Sequence, residues 1–281
     1  MPRMLPEPEQ IVDLARYPIS DPADDGYAEL AARLRAELDQ QQYCVMSGFL
    51  ADEACSRLVA EVEAVLPRAY PNRSRRNCYL QRAGDPSRPA DHPGNMLFDA
   101  SYRMLAYDLF GETSLLRALY QWAPFRTFVA AVVGADELFA SEDPYQPANV
   151  LCYGAGDNSA WHFDSTNAFT MTLMLQAAES GGEFEIAPYT RRVPLLDPDP
   201  EEARLAAILS GDRADVVTVP REPGALVIFR GCTSVHRVTE VRGDTDRLMA
   251  VMVYEDRPGV TGDPEVNRTV YGPRTGASAP G

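Results

Sequence analysis

The second half of the chain most constrains the fold. From residue 149 onward it breaks into short runs rich in β-branched and aromatic residues. These are NVLCYG (149–154), SAWHFD (159–164), AFTMTLMLQA (168–177), GEFEIAP (182–188), DVVTVP (215–220), GALVIFRG (224–231), VHRVTEV (235–241) and RLMAVMVYE (247–255). Turn residues such as ESGG and RGDTD separate them. Short strands at regular spacing bury their apolar faces only against one another, so the pattern specifies a sandwich or barrel of the jelly-roll kind. One interruption, PDPEEARLAAILSGD (198–212), reads as a helix on an inter-strand connection.

The first half has a different texture. YAELAARLRAEL (27–38) carries apolar residues at helical spacing after the acidic start signal Asp24–Asp25, and ADEACSRLVAEVEAVL (51–66) is a second helix that stops before Pro67. Between them YCVMSGF (43–49) reads as a strand supporting the main sheet. Residues 70–98, interrupted by Pro71, Pro86, Pro89 and Pro93, read as a long loop of the kind that forms lids. Helix is expected again from Tyr102 to Val133, broken at Gly111 and Pro124. The expectation is one α+β domain over 1–281. It comprises a mainly helical support (1–148), a jelly-roll core (149–256) and a C-terminal segment (257–281).

Composition narrows the partners. The formal charge of −15 on 281 residues repels nucleic-acid phosphates and anionic lipid. No apolar run approaches a membrane span, and the N-terminal stretch has prolines and acids where a signal peptide needs an apolar core. Cys44, Cys55, Cys78, Cys152 and Cys232 are scattered without CxxC spacing, which fits reduced thiols rather than disulfides or a zinc ribbon. A cytoplasmic protein acting on a small molecule is expected, with its oligomeric state left open.

The chain has only three histidines, His92, His162 and His236. His162 and Asp164 stand at i and i+2, so on a strand both side chains project to one face. His236 lies on a later predicted strand. Two His and one carboxylate on one face of an octahedron leave the other positions open, the arrangement that suits non-haem Fe(II) oxygenases. An HxD pair alone is a weak signal, because a strand histidine is more often a core or surface residue. Arg247 adds to it. It stands at the head of an apolar strand after the RGDTD turn, and if it points inward it needs an anionic partner. A dicarboxylate gripped by the guanidinium would be one. His92, in the polar stretch DHPGN, reads as an exposed loop residue.

These pieces, in this order, resemble the Fe(II)/2-oxoglutarate-dependent dioxygenase superfamily: Trp161–Asp164, Gly181–Phe184, Gly224–Phe229, Ser234–Val238 and Arg247. The resemblance is good over 149–256 and looser before it. It implies a double-stranded β-helix (cupin-like) core, with Fe(II) held by His162, Asp164 and His236. It also implies 2-oxoglutarate and O2 as co-substrates, with Arg247 on the distal carboxylate, helped by hydroxyls such as Thr172 or Tyr153. The stretch from Phe229 to Leu248 is similar to the branch acting on free amino acids, which includes chlorinases and their hydroxylase relatives. In the chlorinases a small residue replaces the carboxylate ligand and halide takes its place. Asp164 therefore implies oxygen transfer or dehydrogenation. Lysine-acting members carry an acid directly after this position, and Ser165 departs from that.

For the substrate, the resemblance points to a loop arginine that meets a carboxylate. Arg73, Arg75 and Arg76 are the candidates, with Arg76 preferred, and a solvated basic run is the bland alternative. Trp161, Ser165, Asn167 and Tyr254 flank the ligands or share their strands, and Tyr271 is a candidate for closing the site from above. Three functions follow: hydroxylation of a small polar metabolite such as an amino acid; desaturation, cyclisation or oxidative cleavage at the same iron site; or a non-catalytic jelly-roll binding protein. Coupled consumption of 2-oxoglutarate and O2 separates the last from the others.

Overall fold

The computed structural model describes residues 7–164, 168–194 and 199–276. Helix α1 (Asp25–Gln41) opens where the Asp24 side chain accepts a hydrogen bond from Gly26 N at 2.8 Å and ends at Gln42 in the left-handed region. Leu30, Leu34 and Leu38 recur on its buried face. Strand β1 (Tyr43–Met46) follows, then α2 (Asp52–Val65), β2 (Tyr70–Arg76) and β3 (Phe98–Leu105). Helices α3 (Leu115–Gln121) and α4 (Ala123–Val133) are separated at Trp122, and Pro124 sits in the first turn of α4, where its missing N–H costs nothing. The remaining elements are β4 (Phe139–Ala140), β5 (Ala148–Tyr153), β6 (Ser159–His162), β7 (Thr170–Gln176), β8 (Ser180–Gly181), β9 (Phe184–Ala187), α5 (Glu202–Leu209), β10 (Val217–Val219), β11 (Leu226–Phe229), β12 (Val235–Val238), β13 (Val241–Arg242), β14 (Arg247–Met252), β15 (Tyr254–Glu255) and α6 (Pro264–Tyr271). No helix among the described residues is long and apolar enough to cross a membrane.

Two antiparallel sheets form the sandwich, one ordered β1-β11-β7-β14-β5-β3-β2 and the other β10-β9-β12-β6. Alternation along each strand sorts residues between two faces. On one side of the larger sheet Cys44, Met171, Leu173, Ile228, Leu248 and Ala250 join Leu34, Leu38, Leu58, Phe125 and Phe128 of the helices in the main core. On the other side Tyr153, Val227 and Phe229 meet Phe184, Ile186, Val219 and Val238 of the smaller sheet in a second core. The outer face of the smaller sheet is covered by α5, where Leu205, Ile208 and Leu209 pack on Trp161, Ala187 and Val235. All five cysteines are free, and Cys44, Cys78 and Cys152 are buried.

The first half carries more sheet than its texture suggests. Residues 70–76 are not loop: β2 pairs with β3 from Tyr70↔Met104 to Arg76↔Phe98. The strand is the edge of the larger sheet, where Pro71 leaves no ladder bond unmade, and its exposure alternates residue by residue. The expected helix from Tyr102 likewise begins as β3, which is bonded on its other side to β5. β1 is a hydrogen-bonded edge strand of the sheet, paired with β11, rather than a separate support. The connection between β2 and β3 is shorter than expected, and a turn at Pro93–Asn95 pins it.

The helical layer is the foundation of the larger sheet, and Phe125 is its centre. It is fully buried between Phe49 and Tyr254, with ring centroids at 5.5 and 6.2 Å. Phe125→Ala should destabilise the fold by about 3–5 kcal/mol, lowering the denaturation midpoint of the metal-free protein without changing the denaturant slope.

Candidate active site

Strands β6 and β12 pair antiparallel with His162 directly opposite His236. Both imidazoles therefore leave the smaller sheet on its inner face, with ring centroids 4.3 Å apart. The chain leaves β6 after His162, and the Asp164 N–H donates to Gly231 O at 3.0 Å, which turns the carboxylate back toward the histidines. His162 Nε2 lies 3.9 Å from Asp164 Oδ1, and His236 Nε2 lies 3.6 Å from the same oxygen. One ligand atom from each residue falls within 4.8 Å of the others, so the three can hold a single metal ion. This is the one such cluster found among the described residues.

The neighbours fix the donor atoms. Nδ1 of His162 lies 2.7 Å from Ala160 O, and Nδ1 of His236 lies 3.0 Å from Ser234 O. A carbonyl partner requires a proton on Nδ1, so each Nε2 keeps its lone pair for a metal. Burial, reinforced by His236, pushes the His162 imidazole down to about 4, so it is neutral at physiological pH. Burial pushes Asp164 up, but His236, His162 and a hydrogen bond from Thr170 Oγ1 outweigh it and hold the carboxyl well below its usual range. A neutral His162 imidazole and an ionised Asp164 carboxylate are protonation states that metal ligation needs.

A backbone contact shapes the carboxylate position. A Cβ on Gly231 would overlap Asp164 Oδ2 and come within 3.0 Å of His236 Cε1. Only a glycine lets the strand end approach this closely. Arg191 supports the same corner: its Nε donates to Cys232 O at 2.7 Å, Nη2 donates to Asp164 O at 3.3 Å, and the guanidinium lies 4.2 Å from the Phe163 ring centre. Thr170, Gly231 and Arg191 were not singled out from sequence. Gly231 closes the strand motif FRG, and its position just before the SVH segment was the available signal.

Arg247 points into the sandwich. It is 1% exposed, and its Nε and Nη1 have no hydrogen-bond partner. Its guanidinium carbon lies 5.2 Å from the ring centre of Tyr153, its neighbour on β5. Gly182 gives it room, since a Cβ there would come within 2.8 Å of Arg247 Cδ. Buried guanidinium groups are ordinarily satisfied, so the orphaned N–H groups fit an absent anion, and a 2-oxo dicarboxylate matches them. Thr172 shares the inner face with Thr170, and its hydroxyl contacts Val227 O at 3.5 Å.

The substrate candidates divide. Of the three loop arginines, Arg73 and Arg75 fall on the exposed face of β2, Arg75 paired to Asp99 at 2.9 Å. Arg76 falls on the opposite face; its Nη1 donates to Leu80 O at 3.3 Å and its buried Nε is unpaired. Trp161 is not a pocket residue. Its parity is opposite to that of His162, so it packs under α5 with Arg237 stacked 4.6 Å from its ring. Tyr254 belongs to the helix-side core, stacked on Tyr120 at 4.9 Å and donating to Tyr120 O at 2.7 Å. Tyr271 ends α6 as a buried residue whose hydroxyl accepts from Asn149 Nδ2 at 3.2 Å. Ser165 and Asn167 lie outside the described residues. His92 is no exposed loop residue: Nδ1 accepts from Gly94 N at 3.0 Å and Nε2 lies 3.2 Å from Glu202, which ties the β2–β3 connection to α5.

Solved structures share this architecture at low identity. The carbocyclase SnoK of nogalamycin biosynthesis, described as non-haem and α-ketoglutarate-dependent, matches with TM-score 0.56 and 17% identity over 86% of this chain and 92% of its own. The epimerase SnoN, solved with Fe3+, α-ketoglutarate and nogalamycin RO, gives 0.55 and 18% over 84% and 93%. A prolyl-4-hydroxylase from Pseudomonas putida gives 0.50 and 14% over 81% and 99%. No curated protein matches. The family model Halogenase D matches residues 27–268, nearly the whole described chain. With a His-Asp-His cluster that can hold a metal inside a double-stranded β-helix, the chain belongs to the Halogenase D family.

Proposed function

We propose that this enzyme hydroxylates an unactivated C–H bond of a small polar metabolite, a free amino acid or a close derivative. The observation that carries the reading is the Asp164 carboxylate. It is ionised, bonded to Thr170, and packed against Gly231 and beside both histidines. A halide ligand needs the space that this carboxylate fills. Halogenation is the second reading, favoured by the family description.

The chemistry supplied when iron is bound is reduction of O2 coupled to oxidative decarboxylation of 2-oxoglutarate, releasing succinate and CO2. The chain's own contribution is positioning. His162, Asp164 and His236 would hold the iron, each through one ligand atom. Arg247 donates to the far carboxylate of 2-oxoglutarate, with Thr172 and Tyr153 beside it. Phe184 and Phe229 pack on the His236 ring, with centroids at 5.7 and 4.9 Å, and keep that side of the site dry. Arg76 takes the substrate carboxylate, since it alone of the three arginines turns from solvent and keeps an unpaired donor. Its unpartnered Nε supports an anionic group on the substrate.

His162→Ala and His236→Ala should each abolish stoichiometric Fe(II) binding, measured by metal analysis after anaerobic loading; full metal content in both would overturn the site. Arg247→Ala should raise the 2-oxoglutarate concentration for half-maximal succinate release by about 10–100-fold, the loss of one charged hydrogen-bonding group. Gly231→Ala should displace the Asp164 carboxylate and weaken Fe(II) binding by about 10–100-fold, the usual scale for disturbing a ligand's support. With an accepted amino acid, the wild-type product should gain one oxygen atom by mass. Asp164→Gly in chloride should lose that product. Undiminished hydroxylation in this variant, or a chlorinated wild-type product, would refute the assignment of Asp164.

A further inference from the structure

The connection between β10 and β11 carries Arg221 in the stretch PREPG, whose composition marks an exposed turn. The side chain does not follow that composition. It reaches back into the sandwich and lies over the Phe184 ring, with the guanidinium carbon 3.7 Å from the ring centre and 5.8 Å from that of Phe229. Its Nη1 is 2.9 Å from Met249 Sδ, and Arg247 Nη2 is 3.6 Å from the same sulfur. Two guanidiniums therefore converge on one thioether, which is only a weak acceptor. Nε and Nη2 of Arg221, like Nε and Nη1 of Arg247, are closed to solvent and have no hydrogen-bond partner.

This pair is an electrostatic conflict as it stands. Burial and the charge of Arg247 push Arg221 well below the usual guanidinium range. The acid that acts on Arg247 is Glu183, whose carboxylate is engaged by the Thr239 hydroxyl. Neither arginine has an ion-pair partner among the described residues. A bound carboxylate would settle four orphaned donors and the repulsion at once.

We infer that Arg221 is a second anchor for the far carboxylate of 2-oxoglutarate, forming with Arg247 a two-guanidinium clamp. This rests on Arg247 receiving that carboxylate. The aromatic pair gives the clamp its geometry. Phe184 supports the Arg221 guanidinium by cation–π contact, and with Phe229 it also touches the His236 ring. One wall thus spaces the clamp from the metal ligands. A clamp of two charges selects dicarboxylates over 2-oxo acids with a neutral tail.

The test is anaerobic titration of the Fe(II)-loaded protein with 2-oxoglutarate and with 2-oxobutanoate, which has the same chelating head but no second carboxylate. The charge-transfer absorbance of the chelate reports binding. Arg221→Met should weaken 2-oxoglutarate by about 10–100-fold and leave 2-oxobutanoate within about twofold. Arg221→Lys, which keeps the charge but not the fork, should fall between. The metal-free Arg221→Met protein should melt no lower than wild type, because it loses a buried unpaired charge, while its melting-temperature gain from 2-oxoglutarate should shrink. Equal 2-oxoglutarate affinity in wild type and Arg221→Met overturns the clamp. Equal loss of both acids, with a lower melting temperature, overturns it in favour of a structural strut. If Arg247→Met binds 2-oxoglutarate as wild type does, the underlying assignment of Arg247 fails, independently of Arg221.

Discussion

The structure turns on a single register, His162 opposite His236 across β6 and β12. A shift of one residue in either strand would turn an imidazole from the inner face to the outer one and destroy the site. The register is held from outside as well as inside. Trp161 and Val235 pack under α5 on the outer face, and Glu185 on β9 ties Arg237 of β12 at 2.7 Å and also pairs with Arg213. The side chains on the outer face thus fix the phase of the two imidazoles on the inner one. Asp164 lies beyond the strand and needs its own anchors, which the Gly231 carbonyl and the Thr170 hydroxyl provide.

The larger sheet solves a different problem. A strand with a charged residue facing inward, as β14 has in Arg247, is stable only if its other face is well buried. Leu248, Ala250 and Met252 supply that burial against the N-terminal helices. The helical layer is therefore the compensation for a polar interior. It also explains why the first half contributes strands to the sheet. β1, β2 and β3 widen the platform, so that the inner face holds Tyr153 beside the Arg247 guanidinium, with Tyr102 against Tyr153, rather than at an open edge.

What the sequence reveals follows from which forces are local. Strand parity pairs His162 with Asp164 in the sequence, but β6 ends at His162 and the backbone bond to Gly231, not the strand, brings Asp164 back to it. Arg247 stands out as a charge at the head of an apolar run. The same parity rule placed Trp161 on the opposite face from His162; it was legible, and adjacency to a ligand was the poorer guide. β2 was hidden because Pro71 and three arginines are allowed on an edge strand and forbidden in a central one, and edge position is a tertiary fact. Tyr254 resembles a pocket residue because it shares the expected 247–255 strand with Arg247, but that run splits after Met252 and β15 leaves the sheet to pair with β4. Arg221 was the least legible. Nothing in PREPG marks a side chain that returns to the interior, since its partners Phe184, Met249 and Arg247 are distant in sequence.

Membership of the Halogenase D family and a carboxylate at the third ligand position are compatible once fold and ligand set are treated as separate variables. The fold fixes two histidines by strand pairing, and that pairing is indifferent to the third ligand, which sits on the loop after β6. A change there costs the sandwich nothing, so one scaffold can serve different outcomes. What must change with it is the immediate packing. A halide needs a cavity where Asp164 now lies, while Asp164 needs the Thr170 hydroxyl and the bare backbone of Gly231. Here all three are present together, and each would be superfluous without the others. The carboxylate is supported from two sides, by the Thr170 hydroxyl and by the bare backbone of Gly231, and that support is the ground on which the proposed oxygen transfer rests.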